Sequence, residues 1–239
     1  MLDCRFTLAL VAAMGLVAAP SFAGDSNGNF QAKLGVTGVW TDDSTNSLTQ
    51  TLSGVTTDLL AAGASASTND TVIPSLTLTY FLNKNLAVEL FCCFDKINVD
   101  GRGLLNGVDL ADVWVFPPAL TLQYHFDNLG PIKPYVGVGA QWVHYFNENS
   151  NLGGFESVKF DDSFGFVLQA GVDYDLGGGW SLGLDVKKVW EDTKITWTAA
   201  NGDTTIANHD IDPLIATANL GYRFNLSDIF GSRSAAPLK

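Results

Sequence analysis

Basic residues are in short supply. Thirteen Lys and Arg face 25 Asp and Glu, which leaves a net charge of −12 over 239 residues. Nucleic acid is held by clustered Lys and Arg on its phosphates. No basic stripe occurs here, so no nucleic acid is expected as a partner. Charge of either sign is thin, at 16% of residues against about 25% in soluble domains. The acidic residues are scattered over polar stretches (Asp42, Asp43, Asp58, Asp70, Glu148, Glu156, Asp161, Asp162) and read as solvated surface. Asp42-Asp43 and Asp161-Asp162 could draw a divalent cation, or cations bound to lipopolysaccharide, but they lack the spacing of a calcium loop.

Cysteine and histidine are equally sparse, three of each. Cys4 lies in the leader, and Cys92 and Cys93 are adjacent. Neighbours on a strand point to opposite faces, so a disulfide between them would be badly strained. They also lack zinc or disulfide-framework spacing and read as small hydrophobes. The histidines are His125, His144 and His209, and no G-x-S-x-G, H-E-x-x-H or P-loop pattern accompanies them. No enzyme, metal or cofactor is expected. Long apolar runs are missing too. Beyond the leader the best window, 86–94, is short and contains Glu89, well below the roughly 20 residues a spanning helix needs.

What is present is export and alternation. Arg5, the apolar run 6–19 and Ser21-Phe22-Ala23 have the form of a secretory signal, so 1–23 is expected to be a signal peptide. In 214–224, Leu214, Ala216, Ala218, Leu220, Tyr222 and Phe224 share one face, while Ile215, Thr217, Asn219, Gly221 and Arg223 share the other. Seven earlier segments repeat this design. Connections 41–71, 100–112, 147–161 and 199–210 are long and polar, with a short helix expected at 59–64. Those at 83–85, 127–133 and 177–179 are tight. Outward aromatics gather at both strand ends, as at membrane–water boundaries. A soluble barrel would carry Lys and Glu on its outer face, yet the second face here is mostly Gly, Thr, Ser, Asn and Gln. The expected fold is all-β: a closed, eight-stranded antiparallel transmembrane β-barrel over 24–224, with both termini periplasmic. A C-terminal extension follows at 225–239.

The chain resembles the outer-membrane protein W family of eight-stranded barrels. The matching stretches are KLGVTGV (33–39) followed by Asp42-Asp43, PPALTLQYHF (117–126), KPYVGVGAQW (133–142), LDVKK (184–188) and DPLIATANLGYRF (212–224). The resemblance implies passage of small hydrophobic molecules across the outer membrane of a Gram-negative bacterium, through an apolar channel that opens sideways into lipid. Barrels of this kind usually stop at the last strand's terminal aromatic, here Phe224, which the barrel-assembly machinery is expected to read. This chain continues past it.

Strand direction sorts the inward residues by height. The outer half carries Val39, Phe91, Val115, Val143 and Tyr145, with Val167, Val189 and Ile215 beside them. This is the expected channel. The inner half carries Lys33, Glu89, Gln123 and His125, with Asp173, Asp185 and Arg223, and these are expected to pair as a lumen plug. Pro117 and Pro118 cannot donate to a ladder; they mark either a weak spot in the wall or simply the start of strand four. Outer-membrane lipid and lipopolysaccharide are the expected surroundings. The alternative is a sealed structural or adhesive barrel that acts through its loops. A closed barrel predicts one simple behaviour: unboiled protein in dodecyl sulfate should migrate apart from boiled protein, and identical mobility would contradict closure.

Overall fold

The period of two is realised as strand almost everywhere. The computed structural model describes residues 28–225. The expected signal 1–23, and all of the extension but Asn225, lie outside the described residues. In chain order the strands are β1 (Phe30–Trp40), β2 (Ser44–Leu52), β3 (Val55–Asp58), β4 (Ala64–Thr68), β5 (Thr71–Phe81), β6 (Leu86–Cys92), β7 (Asp95–Gly103), β8 (Asp109–Phe116), β9 (Ala119–His125), β10 (Ile132–Ser150), β11 (Ser157–Phe160), β12 (Ser163–Gly177), β13 (Trp180–Trp190), β14 (Asp192–Thr198), β15 (Thr204–Asp210) and β16 (Leu214–Phe224).

Eight of them close a ring. β1, β5, β6, β9, β10, β12, β13 and β16 pair antiparallel in that order, and β16 returns to β1 from Phe30↔Phe224 to Trp40↔Leu214. Closure leaves the wall without a free edge. The ring is turned inside out relative to a soluble protein. Leu34 is 69% exposed, while its neighbour Lys33 is 1% exposed. Leu76, Leu120, Val138, Leu182, Leu184 and Leu220 also face outward. Tyr124, Tyr174, Trp180 and Tyr222 end this apolar band near the chain termini, and Trp40, Phe94, Phe164 and Trp190 end it on the opposite side. That opposite, loop-bearing end is called the outer end below.

Glycine is required at a few positions. Gly177, Gly178 and Gly179 all have positive φ (84°, 63° and 86°), a turn that side-chain-bearing residues rarely adopt. Gly171 faces the lumen, where an added Cβ would lie 2.4 Å from the Tyr135 ring. Its missing side chain lets that tyrosine cross the barrel.

The long connections are not the solvated loops that their composition suggested. β2, β3 and β4 occupy most of 41–71, and β2 pairs with β3 and β15. β4 pairs with β7, and β7 with β8. β8 in turn pairs with the outer half of β10, and β11, β14 and β15 form the rest of a second, five-stranded sheet. The two outer sheets enclose a core of their own, which includes Leu48, Val99, Val113, Phe160, Ile195 and Trp197. The expected helix at 59–64 is instead a turn: Leu59 and Leu60 N–H both donate to the Leu48 carbonyl (2.8 and 3.3 Å), and both side chains pack on that core. β2 and β4 were illegible because their buried positions carry little hydrophobic contrast: Ala64 and Ala66 are buried between serines.

Lipid contact around the ring makes a direct prediction. Leu184 lies midway along β13 on the exposed face, so Leu184→Arg should cost about 2–4 kcal/mol, measured by denaturant titration in lipid vesicles. A neutral result would argue against lipid contact there.

Candidate channel and plug

Inside the barrel, height separates chemistry. Near the middle and toward the termini the lumen holds a continuous polar network. Lys33 Nζ donates to Asp173 (3.0 and 2.8 Å). Lys187 Nζ lies 3.2 Å from Glu89 Oε1 and closer still to Asp185. Gln169 links the two acids, donating to Glu89 (2.8 Å) and Asp185 (2.6 Å). Its own oxygen accepts from Thr121 (2.7 Å) and Gln123 (3.2 Å). Tyr135 donates to Asp185 at 2.9 Å, and His125 Nε2 is 2.9 Å from Gln123 Oε1. These charges are buried, and each carboxylate, Asp173, Glu89 and Asp185, is paired with Lys33 or Lys187, which is the only cheap way to hold them out of water.

Six of the seven residues expected in the plug meet here. Arg223 sits lower, at the mouth near the termini, where its Nε donates to the Gly28 carbonyl (2.7 Å) and its guanidinium lies over Phe81. Lys187 and Gln169, both central, were missed by the sequence reading. The signal was available, since Lys187 is two residues beyond Asp185 and must share its face.

Above the plug the lumen turns apolar. Lys187 Nζ lies 4.7 Å from the centre of the Phe91 ring, so the boundary is one side chain thick. Phe91, Val167, Val189 and Ile215 pack with Ile73, Cys93 and Ala119 in one cluster, with Val39 against it. Val115, Val143 and Tyr145 belong to the core of the outer sheets. A cavity of about 50 Å³ lies where these two clusters meet. Val39, Phe91, Val115, Pro117, Val143, Tyr145 and Ile215 line it. Val167 and Val189 support it from below. Pro118 stays in the wall, its carbonyl accepting from Trp142 N–H at 3.0 Å.

The wall beside this cavity is interrupted. The β6–β9 ladder ends at Phe91↔Ala119, and the β7–β8 ladder begins at Asp95↔Val115. Between them Cys93 and Phe94 on one side, and Pro117 and Pro118 on the other, lie outside any strand, and the shared register sets Cys93 opposite Pro117 and Phe94 opposite Phe116. Neither proline has an N–H to offer. Phe94 and Phe116 stack across the break with ring centres 4.7 Å apart. The segment 86–103 is accordingly two strands, β6 and β7, parted at this break. Pro117-Pro118 lie between β8 and β9, immediately before the start of the ring's fourth strand at Ala119.

Removing one partner from the plug tests its energetics. Lys187→Met would strand Glu89 and Asp185 beside each other in a dry lumen. It should cost about 3–5 kcal/mol, measured by urea titration in vesicles; an unchanged midpoint would mean water reaches the plug.

Comparison with known proteins places this architecture. The sequence profile of the OmpW family matches residues 26–224. An outer-membrane protein of Sinorhizobium fredii, y4mB, is 35% identical over 164 residues, which cover 68% of this chain and 70% of that protein. The dibenzothiophene metabolism operon protein PahQ of Pseudomonas aeruginosa is 26% identical over 220 residues, covering 91% of this chain and 98% of its own length. The crystal structure of the outer membrane protein OprG from Pseudomonas aeruginosa superposes with a TM-score of 0.74 at 30% identity, covering 84% of this chain and 98% of that one.

Proposed function

The chain belongs to the OmpW family and is a protein of the Gram-negative outer membrane; on that premise we propose that it admits small hydrophobic molecules from outside and releases them sideways into the bilayer. The observation that carries this reading is the position of the apolar cavity. It lies directly above a charged plug and directly beside the break in the wall. A hydrophobic solute in that cavity meets charge below and a stacked aromatic pair, Phe94 and Phe116, on the lipid side. Crossing the plug would break buried ion pairs, whereas parting two rings at an unpaired stretch of wall breaks no ladder hydrogen bond. Val39, Phe91, Val115, Pro117, Pro118 and Val143 form the path. Tyr145, Val167, Val189 and Ile215 complete its walls. The name of PahQ, from an operon for metabolism of an aromatic heterocycle, fits the same class of solute.

At about 50 Å³ the cavity has room for a few waters, each needing about 10–15 Å³ by the same measure, and falls short of the roughly 150 Å³ of a cavity that takes benzene. Entry therefore requires the outer sheets to part. Around the barrel, lipopolysaccharide is the outer-leaflet partner and the barrel-assembly machinery the partner that reads Phe224.

A sealed barrel acting through its outer sheets is the second reading, favoured by how well their core is packed. Uptake separates the two. Cells carrying the barrel should accumulate a small aromatic hydrocarbon faster than cells without it, and Val143→Asp, which puts a charge in the path, should reduce the gain at least about tenfold. No gain in the parent protein, with no conductance in planar bilayers, would favour the sealed barrel. A gain untouched by Val143→Asp would remove the path.

A further inference from the structure

The cavity is not wholly apolar. Gln141 is 2% exposed and Glu191 is 7% exposed, and both line it. Two acceptors, Gln141 Oε1 and Glu191 Oε2, and the Tyr145 hydroxyl that lines the same cavity are buried with no hydrogen-bond partner among the described residues. A buried acceptor left unpaired costs about 1–3 kcal/mol, so two of them in one small cavity call for an explanation. The backbone brings them together deliberately. Gln141 on β10 pairs with Gly165 on β12, and a Cβ at Gly165 would lie 3.0 Å from the Glu191 Cβ and 2.7 Å from Val189 Cγ1. The glycine thus lets Val189 and Glu191 pack close against β12 beside Gln141. Glu191 lies just above the aromatic Trp190, outside the membrane band. Burial, with Asp212 and Asp192 near it, pushes its carboxyl up to about 7. Near neutral pH it can offer a proton as well as accept one.

Resting on the channel reading above, we infer that Gln141 and Glu191 form a polar recognition site within the apolar cavity, which selects hydrophobic solutes that carry one hydrogen-bonding group, such as an alcohol or phenol hydroxyl. The apolar lining takes the hydrocarbon body. Gln141 Oε1 accepts from the hydroxyl, and the Glu191 carboxyl completes its second hydrogen bond. A pure hydrocarbon of the same shape leaves both groups unpaired, so discrimination comes from the protein's own unsatisfied atoms.

The test uses p-cresol and p-xylene, which differ only by a hydroxyl for a methyl. The full chain in lipid nanodiscs is titrated with each, and isoleucine methyl resonances are followed. Ile73, Ile211 and Ile215 line the cavity, while Ile132 faces outward and reports solute dissolved in lipid. Gln141→Leu and Glu191→Leu should each shift the p-cresol to p-xylene affinity ratio about tenfold toward p-xylene, and Glu191→Gln should keep it within about twofold. Heat-modified mobility checks that each variant is closed; should Glu191→Leu not close, Gln141→Leu carries the test. If both solutes bind and neither leucine variant moves the ratio, those polar atoms hold only water and the inference falls while the channel stands. If Ile132 responds and the cavity isoleucines do not, the channel reading falls with it.

Discussion

A backbone N–H or C=O facing hydrocarbon has nothing to bond but another backbone group, and this constraint orders the whole molecule. It forces eight strands into a ring whose last member pairs along its full length with the first. Closure fixes which face of every strand meets lipid and which meets the axis. Leu34 outward and Lys33 inward follow from one register. The same constraint gives the break in the wall its meaning. Two consecutive prolines opposite a stretch without ladder partners sit where the outer aromatics mark the edge of the apolar band, so the break lies at the boundary of the region where unpaired backbone is most costly.

Within the ring the polar network and the apolar cavity depend on each other. Lys187 is held between Glu89 and Asp185 and also roofs the network with its contact to Phe91. Gln169 spans between the same acids. A lumen filled this way is a floor rather than a water-filled pore, as expected for a barrel whose eight strands leave room only for side chains or one small ligand. On the proposed function, a solute in the cavity is thereby kept at the outer end, next to the break.

The outer sheets change how the molecule is understood. Their core, with Trp197 donating to the Leu110 carbonyl at 3.2 Å, makes the outer end a packed cap. Asp43 takes part in that cap by accepting from Thr68 N–H and Oγ1 and lying 3.4 Å from the buried His209. It is therefore a structural carboxylate and not one of the freely solvated acids that its polar surroundings suggested.

The eight barrel strands, their inward and outward faces and the polar-below, apolar-above lumen were all legible in the sequence. A period of two and strong contrast between leucine and glycine or threonine identify a face without any partner. Lys187 was equally determined, being one period from Asp185. Among the outer strands β2 and β4 were not legible, because alanine and threonine alternating with serine give almost no contrast. Their burial comes from the sheet that lies opposite. The break in the wall and the meeting of Gln141 with Glu191 across Gly165 were settled only in three dimensions. Each depends on which residue of a distant strand lies alongside, and a single strand's periodicity carries no information about its neighbour's register.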